Sequence, residues 1–300
     1  MDPSNERPPY ERPSATRRVP IRRVPGNATA PERWDEVASE EPLEIRIAGP
    51  GGEPATAVAV TMRTPGHDFE LAAGFVLSEG IARGPRDLRG IRYCTPPAEE
   101  QWFNVVTVDL ARAFDPERFR RAIYVSSSCG LCGRTSLDRV QRLGIERPPS
   151  GLCVPASVLR GLPRELFRQQ ATFARTGGVH ATGVADAATG RLEWVREDVG
   201  RHNAFDKALG RLALDGRLPA SRSIAVVSGR ASFELVQKAL VGGFPILASV
   251  GAPSHLAIAL AQEHGLTLVG FLRDDGFNIY AGGERVARPT VADATGASGP

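Results

Sequence analysis

The chain has 300 residues, of which 42% are hydrophobic and 24% charged, as in a globular protein with one large or two medium domains. No apolar run approaches the ~18 residues of a membrane span, and no membrane association is expected. Residues 1–33 carry seven Arg and four acidic residues, so the rest of the chain is close to neutral and no nucleic-acid-binding surface is predicted. Four cysteines are too few for a disulfide scaffold, and no secretory segment is visible, which predicts a cytoplasmic protein with reduced thiols.

The first half of the chain predicts a basic tail followed by an α+β domain. Residues 1–40 are rich in Pro, Arg and Glu, so we expect them to be disordered. A helix is expected over residues 69–78, with Asp68 as its N-cap and Gly80 at its end. Apolar blocks predict strands at 43–47, 55–62, 105–108 and 123–125. The N-terminal α+β domain therefore spans residues 41–150, up to and including the loop with Cys129 and Cys132.

The second half alternates short apolar strands with single helices, which predicts an α/β domain over residues 151–288 and a flexible tail at 289–300. Strands are expected at 179–185, 192–197, 224–227, 246–250 and 266–272. Helices are expected at 159–176, 203–214 and 233–241, and from Ser254 as N-cap to His264. The fold class is therefore α/β, with helices packed on a sheet.

The segment Cys129-Gly130-Leu131-Cys132 is the sharpest local signal, and three kinds of chemistry fit it. With Cys94 and Cys153 it could form a structural zinc site. After a strand and before a helix it could be a thiol–disulfide redox pair. On a loop rich in Ser and Gly it could instead carry sulfur as a persulfide on one accessible cysteine. The small polar residues around the pair argue against two buried, inert thiols.

Polar turns follow several of the predicted strands. Ser228-Gly229-Arg230 follows one strand, the 251–254 turn the next, and Arg273 with two aspartates a third. Backbone amides, hydroxyls and Arg at such turns suit a phosphorylated ligand. His202 lies in a dense polar cluster at 196–207, and its interpretation is divided between phosphate or proton chemistry and a solvated helix cap. His180, in a Gly-rich run, is predicted to be structural.

Several longer motifs occur in order along the chain. They are Thr64-Pro65-Gly66, the Cys129–Cys132 pair, Gly178-Val179-His180, residues 197–203, Ser228-Gly229-Arg230 and residues 271–280. Together they resemble the formate dehydrogenase accessory sulfurtransferase family, the FdhD-type proteins, over roughly residues 42–284. The resemblance implies a C-terminal α/β/α layer similar to the cytidine-deaminase fold. The zinc deaminase signature is missing, so no catalytic zinc is expected.

The resemblance also implies a function. Such proteins accept sulfur from a cysteine desulfurase as a cysteine persulfide and pass it to the molybdenum cofactor, a bis-molybdopterin guanine dinucleotide, before that cofactor enters the formate dehydrogenase catalytic subunit. Cys129 corresponds to the persulfide cysteine and Cys132 to its partner. The cofactor-binding stretch corresponds to Phe271, Leu272, Arg273, Asp274, Asp275 and Gly276, to which the turn argument adds His202, Ser228, Gly229 and Arg230. A two-fold dimer would place both halves of the cofactor.

Two other functions are compatible with the same residues. A thiol–disulfide oxidoreductase would use Cys129 and Cys132 as a redox pair. A nucleotide-binding protein would use all four cysteines to hold a structural zinc.

Overall fold

The computed structural model describes residues 12–24, 32–52, 54–94, 103–116, 145–149 and 151–287. Its strands are β1 (Thr16–Arg22), β2 (Glu32–Ala38), β3 (Glu41–Ala48), β4 (Thr56–Arg63), β5 (Leu88–Tyr93), β6 (Val105–Leu110), β7 (Val154–Pro155), β8 (His180–Asp186), β9 (Leu192–Asp198), β10 (Ser223–Val227), β11 (Ile246–Ser249), β12 (Thr267–Gly270), β13 (Asn278–Ala281) and β14 (Val286–Ala287). Its α-helices are α1 (Asp68–Ser78), α2 (Ala156–Gln169), α3 (Ala171–Thr176), α4 (Arg201–Leu214), α5 (Phe233–Val241) and α6 (His255–His264).

The N-terminal part is a four-stranded sheet of order β4-β3-β6-β5 with α1 packed on one face. Alternation along β3 buries Leu43, Ile45 and Ile47 against α1, as the sequence pattern predicts. The predicted N-cap is wrong, because α1 already includes Asp68 and His67 precedes it in a left-handed conformation with φ of 57°. The Asp68 carboxylate instead accepts two hydrogen bonds from the buried guanidinium of Arg63, at 2.9 and 3.1 Å.

The C-terminal part is a six-stranded sheet of order β13-β12-β11-β10-β8-β9. The strands β10, β11 and β12 are parallel, and the pairs β12–β13, β10–β8 and β8–β9 are antiparallel. One hydrophobic cluster lies between the sheet and α4, α5 and α6, and a second lies between the sheet and α2. The α/β class and the α/β/α layering are thereby confirmed, while the cytidine-deaminase likeness stays a prediction.

The prediction of a disordered tail is wrong for the segment that contains β1 and β2. These strands pair as an antiparallel hairpin, in which Arg18 lies opposite Glu36 and Arg22 opposite Glu32. Glu36 also accepts hydrogen bonds from Arg175 of α3 and from Thr16. Charges of opposite sign therefore face each other across the hairpin and stabilise it. Composition alone, in contrast, predicts a solvated coil for this segment.

The helix predicted at 159–176 is two helices that meet at Gln170. The carboxylate of Glu197 in β9 caps the second helix, because it accepts hydrogen bonds of 2.8 Å from the backbone amides of Thr172 and Phe173 in the first turn of α3. The sequence pattern does not predict β5, β13 or the two short strands β7 and β14. The strand predicted at 123–125 lies outside the described residues. Within the described ranges, no helix combines the length and the apolar character that crossing a membrane requires.

A tight helix crossing joins the two parts of the chain. Gly74 of α1 faces the backbone of Asp206 in α4, and Gly210 of α4 faces the backbone of Glu70 in α1. A Cβ at either glycine would overlap the facing carbonyl oxygen. The two helices therefore pack backbone to backbone at this crossing, which holds α1 and the N-terminal sheet against α4.

Candidate functional site

Several polar turns meet at one edge of the six-stranded sheet. The parallel strands β10, β11 and β12 end there, and β8 begins there with His180 opposite Asp198, the last residue of β9. We call this group the exit edge: residues 228–232, 249–254 and 271–276, His180, and the first turn of α4. In open α/β sheets, ligands bind beyond the carboxyl ends of the strands.

The turns of the exit edge are tied to one another by backbone hydrogen bonds. The Gly251 amide donates to the Gly229 carbonyl at 2.9 Å, and the Phe271 amide donates to the Gly251 carbonyl at 3.0 Å. The Ser249 hydroxyl adds a 2.7 Å bond to the Gly229 carbonyl. A Cβ on Gly251 would lie only 2.8 Å from that carbonyl oxygen, so this close approach requires glycine. These hydrogen bonds hold the turns in fixed positions relative to one another.

The β10 turn contains three of the predicted cofactor-binding residues. The hydroxyl of Ser228 accepts a 2.9 Å hydrogen bond from the Ala181 amide, which fixes the turn against β8. Arg230 is exposed, and its side chain makes no hydrogen bond or ion pair within the part of the chain that is described. Of the predicted residues, Arg230 therefore offers the most accessible free cation.

The predicted stretch from Phe271 to Gly276 is not one continuous ligand surface. Phe271 has φ of 51° and is 46% exposed, so its ring stands at the mouth of the edge. Arg273 folds back and donates to the carbonyls of Val250, at 2.6 Å, and Leu272, at 2.8 Å. The Leu272 side chain is fully buried in the core on the α2 side, so a role as a side-chain contact is ruled out.

The rest of that stretch forms a turn directed toward α2. Oδ2 of Asp274 accepts two hydrogen bonds from Arg164 of α2, at 2.8 and 3.2 Å. Backbone hydrogen bonds between Arg273 and Gly276 close the turn, and Asp275 lies exposed at its tip. Of the six residues, Phe271 and Asp275 have exposed side chains that make no hydrogen bond to a described residue. Arg273 and Asp274 are exposed as well, but each is already bonded within the fold.

Two histidines lie beside the β10 turn. His202 Nε2 is 3.4 Å from the Ser232 hydroxyl and 3.8 Å from the Glu234 carboxylate. Burial, reinforced by the charges of Arg201 and Lys238, lowers the pKa of His202 to about 4. Burial and Arg201 also lower the pKa of His180. Both rings are therefore neutral at pH 7, and each can donate one hydrogen bond and accept another.

Some residues of the polar cluster at 196–207 lie at the exit edge, and others are buried at the boundary with the N-terminal part. The Lys207 ammonium lies 2.7 Å from the Asp198 carboxylate and donates to the Thr64 carbonyl at 2.8 Å. The Thr64 amide in turn donates to Asp198 at 3.1 Å. Burial lowers the pKa of Lys207, and Asp198 opposes that shift. The solvated-cap interpretation is therefore wrong for Asp198 and Lys207, which join the two parts.

The only other lysine of the chain forms a second buried pair at the same boundary. Lys238 of α5 donates to both carboxylate oxygens of Asp206 at 2.7 and 2.8 Å, and Ser78 at the end of α1 donates to the same carboxylate at 2.9 Å. Burial raises the pKa of Asp206, and Lys238 opposes that shift. Asp198–Lys207 and Asp206–Lys238 are called the two buried ion pairs below.

Sequence reasoning did not select His180 and Arg201. His180 reaches the exit edge because β8 runs antiparallel to β10, a direction that the strand pattern does not reveal. Arg201 begins α4, two residues earlier than the predicted helix start. The Gly178-Val179-His180 motif was the available signal for His180, but a lone histidine beside glycines is ambiguous.

Two of the four cysteines, Cys94 and Cys153, lie among the described residues. Cys129 and Cys132 lie outside the described residues, so the three interpretations of their pair stay predictions. Cys94 Sγ lies 2.9 Å from the Thr107 hydroxyl, and Cys153 is exposed. Both are free thiols.

The architecture defines the class of protein: an α/β/α domain with a preformed polar edge suited to an anionic ligand, joined to a smaller sheet domain. Residues 38–287 match the FdhD/NarQ family, and the chain belongs to that family. It is 49% identical over 263 residues to the sulfur carrier protein FdhD of Streptomyces coelicolor, covering 85% of this chain and 90% of that protein.

Other similar proteins support the same family assignment. The sulfur carrier protein FdhD of Mycobacterium tuberculosis is 45% identical over 262 residues, covering 85% of this chain and 92% of that protein. A crystal structure described as a formate dehydrogenase accessory protein from Desulfotalea psychrophila superposes with a TM-score of 0.70 and is 26% identical. That match covers 91% of this chain and all of the other. The resemblance inferred from the motifs is thus confirmed.

Proposed function

We propose that this chain is a sulfur carrier that accepts sulfur from a cysteine desulfurase and delivers it to the molybdenum cofactor of a formate dehydrogenase. The observation that carries the proposal is the family match over residues 38–287, which includes Cys129-Gly130-Leu131-Cys132. The relatives named above bear the name sulfur carrier protein, and the similar crystal structure is described as a formate dehydrogenase accessory protein.

In the proposed loading step, the Cys129 thiolate attacks the terminal sulfur of a persulfide on the desulfurase. A new S–S bond forms at Cys129, the S–S bond of the desulfurase breaks, and its cysteine leaves as a thiolate. In the delivery step, the Cys132 thiolate attacks Sγ of Cys129, and the terminal sulfur leaves as sulfide with the bonding electron pair. The resulting Cys129–Cys132 disulfide is reduced again by a cellular thiol.

The exit edge is the proposed binding place for the acceptor, bis-molybdopterin guanine dinucleotide. Its diphosphates need cations and free amide donors, and its rings need flat apolar partners. The free guanidinium of Arg230 and the exposed ring of Phe271 fit those needs. Arg273 is a second candidate for phosphate contact, although it must give up part of its bonding to Val250 and Leu272. Calorimetry with guanosine diphosphate tests this: no binding, or unchanged binding by Arg273→Ala, would refute it.

Two protein partners and a location complete the proposal. The donor is a cysteine desulfurase and the recipient is the formate dehydrogenase catalytic subunit, both met in the cytoplasm. A homodimer would present two exit edges to the two halves of the cofactor. Equilibrium sedimentation of the full chain with and without guanosine diphosphate tests the dimer, and a monomer under both conditions would exclude it.

The decisive test of sulfur loading is the intact mass after incubation with a cysteine desulfurase and cysteine. The unaltered chain should gain one sulfur atom that a thiol reductant removes. Cys129→Ala should gain none, and Cys132→Ala should still load but fail to release sulfide. Cys94→Ala and Cys153→Ala serve as matched controls and should load normally. Loading of Cys129→Ala to the level of the unaltered chain would refute the assignment.

The same preparations separate the two rival functions. Reduction of insulin by the unaltered chain, without sulfur loading, would favour the thiol–disulfide oxidoreductase. Stoichiometric, tightly held zinc that is lost in Cys129→Ala and in Cys94→Ala would favour the zinc-stabilised nucleotide-binding protein.

A further inference from the structure

The hairpin of β1 and β2 is attached to the rest of the protein at one end only. The family match begins at Ala38, so all but the last residue of the two strands lies outside it. At the open end of the hairpin, Glu36 accepts a 3.0 Å hydrogen bond from Arg175 of α3. A Cβ added to Gly178 would lie 3.4 Å from the Cβ of Ala38, so the end of β2 packs closely against the chain that follows α3.

Beyond this attachment the hairpin has no core beneath it. We call residues 18–24 and 32–35 the hairpin arm. None of its residues is buried, and its side chains form no hydrogen bond or ion pair with a described residue outside the arm. A two-stranded ribbon without a layer packed on it is only marginally stable in water. The arm therefore gains packing when a second surface covers it.

The exposed side chains of the arm are of the types that dominate protein–protein interfaces. Trp34 is 60% exposed, and the Arg18 guanidinium lies 5.7 Å from the centre of its ring. Arg23 and Arg33 are exposed and have no hydrogen-bond or ion-pair partner among the described residues. The arm holds four arginines and two acidic residues, so it is basic. Trp and Arg are enriched at binding hot spots, and charge complementarity calls for an acidic surface with a pocket for an aromatic ring.

The arm leaves the body of the protein beside the exit edge. Gly178, which faces Ala38, comes two residues before His180, and His180 begins β8 at that edge. A protein bound to the arm therefore lies next to the turns proposed to hold the cofactor. This is the place that a recipient of the cofactor must reach.

We propose that the hairpin arm is a docking element for the protein that receives the cofactor, and that it binds an acidic surface of that protein with Trp34 as its anchor. The inference rests on the proposed function, in which the recipient is the catalytic subunit of a formate dehydrogenase. Arg23 and Arg33 attract the acidic surface and raise the rate of association. Burial of the Trp34 ring in the complex lowers the rate of dissociation.

Surface plasmon resonance with the full-length protein and the cofactor-free catalytic subunit tests the arm. Trp34→Ala should weaken binding ~10-fold or more, mainly through faster dissociation, and Trp34→Phe should keep most of the affinity because it keeps an aromatic ring. The double variant Arg23→Gln with Arg33→Gln should associate more slowly at low salt. Its association rate should depend less on salt than that of the unaltered protein, because the charges that salt screens are gone.

Matched changes at the opposite end of the six-stranded sheet serve as controls. Leu214→Ala removes an exposed apolar side chain at the end of α4. Arg191→Gln with Arg222→Gln removes two exposed arginines that directly precede β9 and β10, and so changes the net charge as much as the arm variant does. Both controls should bind the catalytic subunit like the unaltered protein. All arm variants should load sulfur from the desulfurase normally, which shows that they are folded.

Three results would overturn the inference and leave the proposed function standing. The first is unchanged affinity of Trp34→Ala for the catalytic subunit. The second is loss of sulfur loading in Trp34→Ala, which would assign the arm to the desulfurase. The third is a change from dimer to monomer in Trp34→Ala, which would make the arm an interface between two copies of this chain.

Two further results concern the class of partner. Binding of the unaltered protein to duplex DNA or to phosphatidylglycerol vesicles, lost in Trp34→Ala, would overturn the inference by making the partner a nucleic acid or a membrane. Failure of the unaltered protein to bind the catalytic subunit would refute the recipient named in the proposed function, and the docking role with it.

Discussion

The boundary between the two parts of the chain and the exit edge use the same residue types in opposite ways. At the boundary, the charges of the two buried ion pairs are matched one to one and hydrogen-bonded on several sides. At the exit edge, Arg201 and Arg230 have no partner among the described residues. Matched charges hold a structure together, and unmatched cations with free amides are available to an anion. One motif, residues 197–203, contributes to both regions.

The largest expected effect is the loss of one member of a buried ion pair. Lys207→Met leaves the Asp198 carboxylate buried without its cation, and the free energy of unfolding should fall by about 3–5 kcal/mol. Lys238→Met should do the same through Asp206. Urea denaturation at pH 7 measures both. The double variant Asp198→Asn with Lys207→Met should recover part of the loss, and a loss below ~1 kcal/mol in the single variants would contradict the structural role.

The next effect concerns the crossing of α1 and α4. Gly74→Ala would force a methyl group into the backbone of Asp206 and should destabilise the protein by roughly 1–3 kcal/mol or more. Gly161→Ala is the matched control, because this helical glycine has open space around its Cβ position. It should stabilise the protein by roughly 0.5–1 kcal/mol. Equal urea midpoints for the two variants would show that the helices do not cross as closely as described.

A smaller effect appears in the pH dependence of stability. With a pKa of about 4 when folded and 6.5 when unfolded, His202 binds fewer protons in the folded state between these values. The neutral His202 ring therefore contributes to the free energy of unfolding above pH 6.5, and this contribution is lost as the pH falls from 6.5 to 4. Urea midpoints across that window should rise less steeply with pH in His202→Gln. Burial raises the pKa of Glu70, but Arg196 and His67 outweigh it and lower the pKa to about 2. Glu70 therefore affects the pH dependence of stability only below pH 4.5. An unchanged slope would contradict a neutral, partly buried His202.

The smallest expected effect is on the stability of the exit edge. Arg230→Gln removes an exposed, unpaired charge, so the free energy of unfolding measured by urea denaturation should change by less than ~0.5 kcal/mol. In calorimetry, the same variant should bind guanosine diphosphate more weakly than the unaltered protein does. A marked loss of stability would show that Arg230 belongs with the matched charges of the boundary.

The exit edge could be predicted from sequence where parallel strands end in polar turns. Ser228-Gly229-Arg230 and the start of the Phe271 segment lie together because β10 and β12 share their direction. The orientation of Asp274 toward Arg164, 110 residues earlier, could not be predicted from local pattern. The same holds for Lys207, whose role depends on Thr64, 143 residues away. Local sequence determines which turns are polar, and tertiary packing decides which of their charges are matched.

The most direct test of the central claim is formate dehydrogenase activity in a cell that lacks its own copy of this protein. The unaltered chain, Cys94→Ala and Cys153→Ala should restore the activity. Cys129→Ala should restore none, although its urea midpoint should equal that of the unaltered chain. Restoration of formate dehydrogenase activity by Cys129→Ala would contradict sulfur transfer through this cysteine.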